Sequence, residues 1–394
     1  MRSALLLAAV ACLHAQTVTT LVDHGDPGNR IDLVIVGDGY TAAQFDKFNA
    51  DARGFLTNFF GDEVYKEYAS YFNARTIAFA SVQSGASHPE QNPPLVRSTA
   101  FGAAYNCAGV VRLICVDNAR VNAAVNALLP ANQRDFLIVL VNDPQYGGAG
   151  GALIVASTHS DSVEIGLHES GHAIGLLADE YTDQPPTCRL DAEPLAANST
   201  RVTDRAAIKW AAWIAPSTAV PTLLPTPSVP GLFEGAEYCP AGKYRPTYNS
   251  KMRSLGRPFD AVNAEQLVRR FYNLVSGIDG AELAETLLSL VRGTLQRFQV
   301  TTLHPATHPL TVTWLVDGVA AGSGPVFTLD TTHLVEGGHT VRALVRDVTA
   351  WVRSDPSNLL SDSQTWQVQV SGGPPPGPAR RPSLSRITDA TAAP

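Results

Sequence analysis

His168 and His172 stand four residues apart in HESGHAIGLLADEY (168–181), with Glu169 directly after the first. A helix turns about 100° per residue, so such a pair lies about 40° apart around the axis and about 6 Å apart along it. Both imidazoles then point at one centre and can grip one divalent ion. Neutral imidazole suits zinc. Glu169 is turned out of that grip but reaches a water held there, the position of the general base in metal-assisted peptide hydrolysis. A catalytic zinc commonly takes three protein ligands and one water. Asp179 is the favoured third ligand and Glu180 the alternative. The rival reading is a structural helix with two satisfied histidines.

Several neighbours must position this stretch. Asp161 and Glu164 have the spacing of a capping box that would start the helix. Gly175 suits a left-handed helix stop. Gly166 and Gly171, each costing about 1 kcal/mol relative to alanine, read as sites of close backbone packing. YGGAGG (146–151) reads as a turn into a strand, forming the upper cleft rim where an extended substrate adds as a strand; the alternative is a plain flexible loop. Tyr181, Tyr244, Arg245 and Tyr248 carry donors suited to an oxyanion, although packing or surface roles are commoner for such residues.

The surrounding pattern is layered. IDLVIV (31–36), TIAFASV (76–82) and DFLIVLVN (135–142) read as buried strands. Between them, 41–60 and 119–129 read as helices, the first with Phe45, Phe48, Ala52, Phe55, Leu56 and Phe59 on one face. Strands alternating with helices indicate an α/β (α+β) domain. Residues 184–230 form a long loop-dominated insertion, and 262–276 restore a helix. From about 297 the chain alternates as an all-β, immunoglobulin-like sandwich to about 371, followed by a Pro/Gly-rich tail over 372–394.

The start, MRSALLLAAVACLHAQ, reads as a secretory signal over 1–15, leaving a catalytic domain over 17–290. A lipoprotein cleaved before Cys12 is a minor alternative. Loss of Cys12 leaves Cys107, Cys115, Cys188 and Cys239, which suit a local clip and a long-loop bridge in an exported protein. Net charge is -7 and no basic run occurs, which argues against nucleic acid. No later segment is apolar for long enough to span a membrane.

HExxHxxGxxxDEY resembles the active-site motif of the IgA peptidase family, secreted bacterial zinc metallopeptidases. GNRIDLVIVGDGYTAAQFDKF (28–48), YFNARTIAFASVQSG (71–85), YNCAGVVRLICVDN (105–118), VNDPQYGGAGG (141–151) and YRPTYNSKMRSLGRPFDAV (244–262) resemble further family segments in the same order. The resemblance implies a zincin, metzincin-like catalytic fold, with His168, His172 and Asp179 on one Zn2+ and Glu169 as base. It also implies that Met252 forms a methionine turn beneath the ion; without it, Met252 is as well read as an ordinary core residue. Metzincins proper carry a third histidine where this chain has Ala178. Cysteines that often accompany the family's methionine are replaced by Asn249 or Ser250, Asp260 and Asn263, which argues against a disulfide in that loop. Cleavage of immunoglobulin A does not carry over.

The reading is a secreted or periplasmic zinc metalloendopeptidase acting on a protein or peptide, with the C-terminal sandwich binding substrate or a surface. The alternatives are a non-catalytic surface-binding protein that keeps the fold, and a zinc amidase acting on cell-wall peptides.

Overall fold

A computed structural model of the chain describes residues 17–182, 188–223 and 229–372. The expected signal sequence with Cys12 and the tail beyond Gly372 lie outside them. The described residues fall into two compact units. The first holds the chain up to Asp279 together with Thr302–Leu310 and Arg346–Asp362, and the second holds Gly280–Thr301, Thr311–Val345 and the chain from Ser363.

The first unit mixes helix and sheet. Strands β1 (Val18–Val22), β2 (Ile31–Asp38), β3 (Phe72–Ile77), β4 (Phe136–Val141), β5 (Gly148–Ala149) and β6 (Ile154–Ser157) form one sheet in the order β1-β3-β2-β4-β6-β5. The inner four are parallel, and β1 and β5 run antiparallel at the edges. β2 is buried along its whole length, as a parallel strand covered on both faces must be, so Leu33–Gly37 runs apolar without alternation. Its two carboxylates are compensated: Asp32 pairs with Arg75, and Asp38 accepts from Thr99, Phe101 and Ala103.

That role of Asp38 explains a correction. The strand expected over 76–82 lies earlier, at Phe72–Ile77. β3 ends opposite Val36, and beyond it Ser81 N–H turns to the Tyr40 carbonyl, 2.7 Å away. The Asp38 carboxylate then gathers the following loop.

Helices α1 (Phe45–Phe59), α2 (Glu63–Glu67), α3 (Asn118–Asn126), α4 (Ser162–Ala173) and α5 (Ala261–Leu274) surround the sheet strands. α1 buries Phe48, Ala52, Phe55, Leu56 and Phe59, the stripe its spacing prescribes. α4 lies against it at Gly166, where an added Cβ would stand 2.6 Å from the Phe55 ring.

The described part of 184–230 contains only 3-10 turns, yet it is pinned. Lys209 donates to the carbonyls of Pro194, Ala196 and Ser199, and Trp210 donates to Gly231. Ile208, Trp210, Ile214, Leu232 and Val262 form a small separate core. A hairpin that the sequence does not signal follows the insertion, β7 (Phe233–Ala236) and β8 (Cys239–Arg245).

Two later segments complete the first unit through buried polar groups. Asp347 accepts from the hydroxyls of Tyr68 and Tyr272, each at 2.8 Å, and from His308 at 2.6 Å. Glu67 accepts from Thr307 and holds the other side of His308.

The second unit is built from β9 (Ile278–Glu282), β10 (Leu287–Val291), β11 (Leu295–Thr302), β12 (Thr311–Val316), β13 (Val319–Ser323), β14 (Val326–Asp330), β15 (Gly337–Arg346) and β16 (Ser361–Ser371). They form a five-stranded sheet, β10-β16-β15-β12-β13, and a three-stranded sheet, β14-β11-β9. Phe298 from the smaller sheet meets Trp366 and Trp314 from the larger, with ring centroids 5.1 and 6.2 Å away. No helix among the described residues is long and apolar enough to cross a membrane.

Candidate metal centre

α4 begins and ends differently from the sequence expectation. Asp161 occupies the N-cap position but its side chain makes no capping bond. Ser162 Oγ instead meets Ser157 Oγ at 2.7 Å, and Glu164 is drawn away to Lys251 Nζ, also at 2.7 Å. At the far end the left-handed residue is Leu176, with φ 54°, rather than Gly175. Holding leucine there costs roughly 1–2 kcal/mol. Gly175 is needed for space, since a Cβ on it would lie 2.6 Å from the Gly171 carbonyl oxygen.

This tight turn reverses the chain and brings three donor atoms together. His168 Nε2 and His172 Nε2 are 3.2 Å apart, and Asp179 Oδ1 is 3.2 and 3.1 Å from them. The Nδ1 atoms face the carbonyls of Lys251 and Leu177, at 2.9 and 2.7 Å. A carbonyl only accepts, so each Nδ1 carries the hydrogen and each neutral Nε2 turns a lone pair inward. Three acceptors facing one another at this range are suited to share a cation. Metal bonds of 2.0–2.1 Å would set the donors of a tetrahedral zinc site about 3.4 Å apart, so the set fits such an ion. No other group of His, Cys, Asp and Glu side chains suited to a metal occurs among the described residues.

The family model described as IgA Peptidase M64 matches residues 19–228, more than half of the chain. The chain belongs to the IgA peptidase M64 family. Membership makes it a metallopeptidase. No curated protein matches it. Among solved structures, the fibronectin(III)-like modules of Clostridium thermocellum CbhA are 15% identical over 24% of this chain and 98% of theirs, with a TM-score of 0.18. An endo-beta-1,4-mannanase from Thermotoga petrophila is 15% identical over 33% of this chain and 28% of its own, with a TM-score of 0.17. A quinonprotein alcohol dehydrogenase-like protein from Bacteroides thetaiotaomicron is 14% identical over 22% and 17%, also at 0.17. Scores this low carry no structural inference.

In this M64 chain Glu169 lies against Gly150, where a Cβ would fall 1.5 Å from the carboxylate oxygen. Only glycine leaves room for it there. Burial pushes the Glu169 carboxyl above its ordinary value, with His168 and His172 acting against that push. Asp179 goes the other way. Burial would raise it, but its close contacts with His168 and His172 and the hydrogen bond donated by Tyr238 hold it well below the usual carboxylate range.

Glu180, the alternative ligand, faces the interior and is fully buried. Oε1 accepts from Asn198 and Asn263 at 3.0 and 2.9 Å, and Oε2 accepts from Ser250 at 2.7 Å. Its own N–H donates to the Met252 carbonyl. Glu180 thus ties the ligand turn to the Met252 segment. Asn198, despite its Asn-Ser-Thr context, is fully buried and spends its amide on Ala178 and Glu180. Met252 is buried beneath α4, and a Cβ on Gly171 would lie 2.5 Å from its sulfur. Lys251, one residue earlier, supplies the carbonyl that orients His168.

Tyr238 was missed by the sequence reading. It sits at the tip of the β7–β8 hairpin, where Ala236 pairs with Cys239 across two residues of positive φ, Glu237 and Tyr238. Such turns ordinarily use Asn-Gly, so Glu-Tyr hides the hairpin. Tyr238 donates to Asp179 Oδ2 at 2.6 Å, its N–H bonds the Tyr181 carbonyl, and Glu237 N–H bonds the Asp179 carbonyl. Cys188 and Cys239 are bonded beside it, as are Cys107 and Cys115 elsewhere.

The oxyanion candidates separate. Tyr181 stacks on His168 with centroids 6.4 Å apart, and its hydroxyl is 3.3 Å from that of Tyr238. Arg245 is buried and spent on the carbonyls of Glu234, Gly235 and Tyr248, so it braces the hairpin. Tyr248 is exposed between the guanidinium groups of Arg245 and Arg253. Tyr244 pairs through its backbone with Thr200. The rim also departs from expectation at Gly148. Its N–H and carbonyl bond Arg112 and Ile114, so that point of the sheet edge is already filled by the chain itself.

Proposed function

We propose that the protein is an exported zinc-dependent endopeptidase. His168, His172 and Asp179 hold one Zn2+, and Glu169 is the general base. The observation that carries this reading is the inward convergence of two Nε2 lone pairs and one carboxylate oxygen within 3.2 Å of one another. A bound zinc would polarise the scissile carbonyl and acidify its water. Glu169 accepts that water's proton on a carboxylate oxygen and returns it to the leaving amine nitrogen. Its raised proton affinity suits both transfers. Tyr238 and the Lys251 and Leu177 carbonyls keep the ligands aimed. The Tyr181 hydroxyl is the candidate oxyanion donor, since Arg245 has no aim toward the site.

The catalytic unit is read as metzincin-like, with Met252 as the turn beneath the ion, and the second unit as an immunoglobulin-like sandwich that binds substrate or a surface. Two disulfides suit an oxidising compartment.

Glu169→Gln tests the assignment. The variant should keep one zinc per chain by metal analysis while turnover on casein or a peptide library drops by several orders of magnitude. Chelator should abolish cleavage by the unmodified protein. A fully active Gln variant removes Glu169 from its role, and a zinc-loaded protein that cuts no internal bond removes the endopeptidase reading.

A further inference from the structure

The geometry points to Arg112 as a specificity residue that draws a carboxylate of the peptide substrate to the cleft rim. The proposal rests on the peptidase reading of the same site and names its substrate class.

Arg112 lies in the segment closed by the Cys107–Cys115 bond. That segment is stiffened by its own backbone, with Leu113 N–H on the Val110 carbonyl at 2.9 Å and Cys107 N–H on the Leu113 carbonyl at 3.2 Å. It is fastened to β5 by Gly148 N–H on the Arg112 carbonyl at 3.1 Å. Leu113 bridges Gly148 in parallel register, which sets Arg112 one position earlier, level with Gly147 and three residues before Gly150, the glycine that makes room for Glu169. An extended peptide meeting β5 at this level finds no free backbone at Gly148. It finds the segment that carries Arg112.

The Arg112 side chain is exposed and has no hydrogen-bond or ion-pair partner among the described residues. Other cations nearby are spent: Lys251 on Glu164, Lys243 on Glu237, Arg245 on carbonyls. The guanidinium lies within electrostatic reach of Tyr146 and Glu169, on the side of the cleft. A planar guanidinium left free on a stiff platform is suited to bidentate capture of a carboxylate. Either an acidic side chain or a free C-terminus supplies that group.

The test compares matched peptides with Glu or Gln at each position flanking the cut, and C-terminal acids with amides. The unmodified enzyme should prefer the carboxylate at one position by about tenfold in kcat/KM, mostly through KM, with the preference shrinking as salt rises. Arg112→Gln should erase that preference and leave the Gln, amidated peptide unchanged, which also verifies the fold. Arg112→Glu should invert it. A Glu-specific gain assigns an acidic side chain, and an acid-over-amide gain assigns the C-terminus. No preference, or one that survives Arg112→Gln, overturns the proposal. Equilibrium binding of the same peptides to zinc-loaded Glu169→Gln protein separates the two claims. If nothing is cleaved but carboxylate peptides bind about tenfold tighter through Arg112, the peptidase reading fails and the Arg112 assignment stands. Equal binding sinks Arg112 alone.

Discussion

The turn Leu176–Tyr181 and the segment Cys107–Cys115 both border the metal centre, and they are fastened in different ways. The turn is held by other parts of the first unit: Asn198 on Ala178, Tyr238 on Asp179, Asn263 and Ser250 on Glu180, and the Met252 carbonyl on the Glu180 N–H. Every one of these bonds ends on a group that is wholly or partly buried. The rim segment is closed largely on itself, by a disulfide and short-range backbone bonds, and reaches β5 at Gly148. Val110, Val111 and Arg112 are left exposed. The positions of the proposed ligands are therefore set by many distant residues at once, whereas the rim can change its side chains without disturbing that trio.

Substitutions can break that contrast. The largest effect is expected at Glu180. Glu180→Ala leaves the donors of Asn198, Asn263 and Ser250 buried without an acceptor and should cost about 3–5 kcal/mol in denaturant unfolding. A loss below about 1 kcal/mol would show that the turn does not depend on this carboxylate. Next comes Tyr238→Phe, which removes one hydrogen bond behind a ligand. Zinc affinity, read by competition with a chelator, should fall about 10–100-fold, with the fold intact by circular dichroism. Unchanged affinity would reduce Tyr238 to a packing role. The smallest effect belongs to the rim. Replacing Cys107 and Cys115 by Ser should leave zinc affinity within about threefold, because no metal ligand bonds to that segment. A larger drop would mean that rim and floor are one mechanical unit.

The helical period made the convergence of His168 and His172 legible, because four residues bring two side chains to one face wherever the helix lies. Asp179 was legible as the favoured of two neighbours, with Glu180 left open as the alternative. Choosing between it and Glu180 depends on Asn198, Ser250 and Asn263, which lie 18 to 83 residues from Glu180. The central strands β2 and β4 were plain from their unbroken apolar runs. β3 was displaced because its end is decided by Asp38, 39 residues before Ile77 and in another strand. Leu176 took the left-handed position against its own preference, since the following carbonyl must reach His172. Tyr238 left no signal, as its hairpin lacks the usual turn residues. In the Met252 loop, Ser250 and Asn263 meet across 3.2 Å and share Glu180, a polar knot in place of any covalent tie between them.

Asp347 has one more consequence. It anchors a late stretch of chain among the tyrosines of α2, its flanking turn and α5, so the polypeptide leaves the first unit after Asp279, returns for Thr302–Leu310, departs, and returns again for Arg346–Asp362. A gene clipped near codon 290 would leave Tyr68, Tyr272 and Glu67 without their acceptor and donors. The strands of the second unit come from three separate stretches of sequence, so they cannot be traded for another module by a single recombination event.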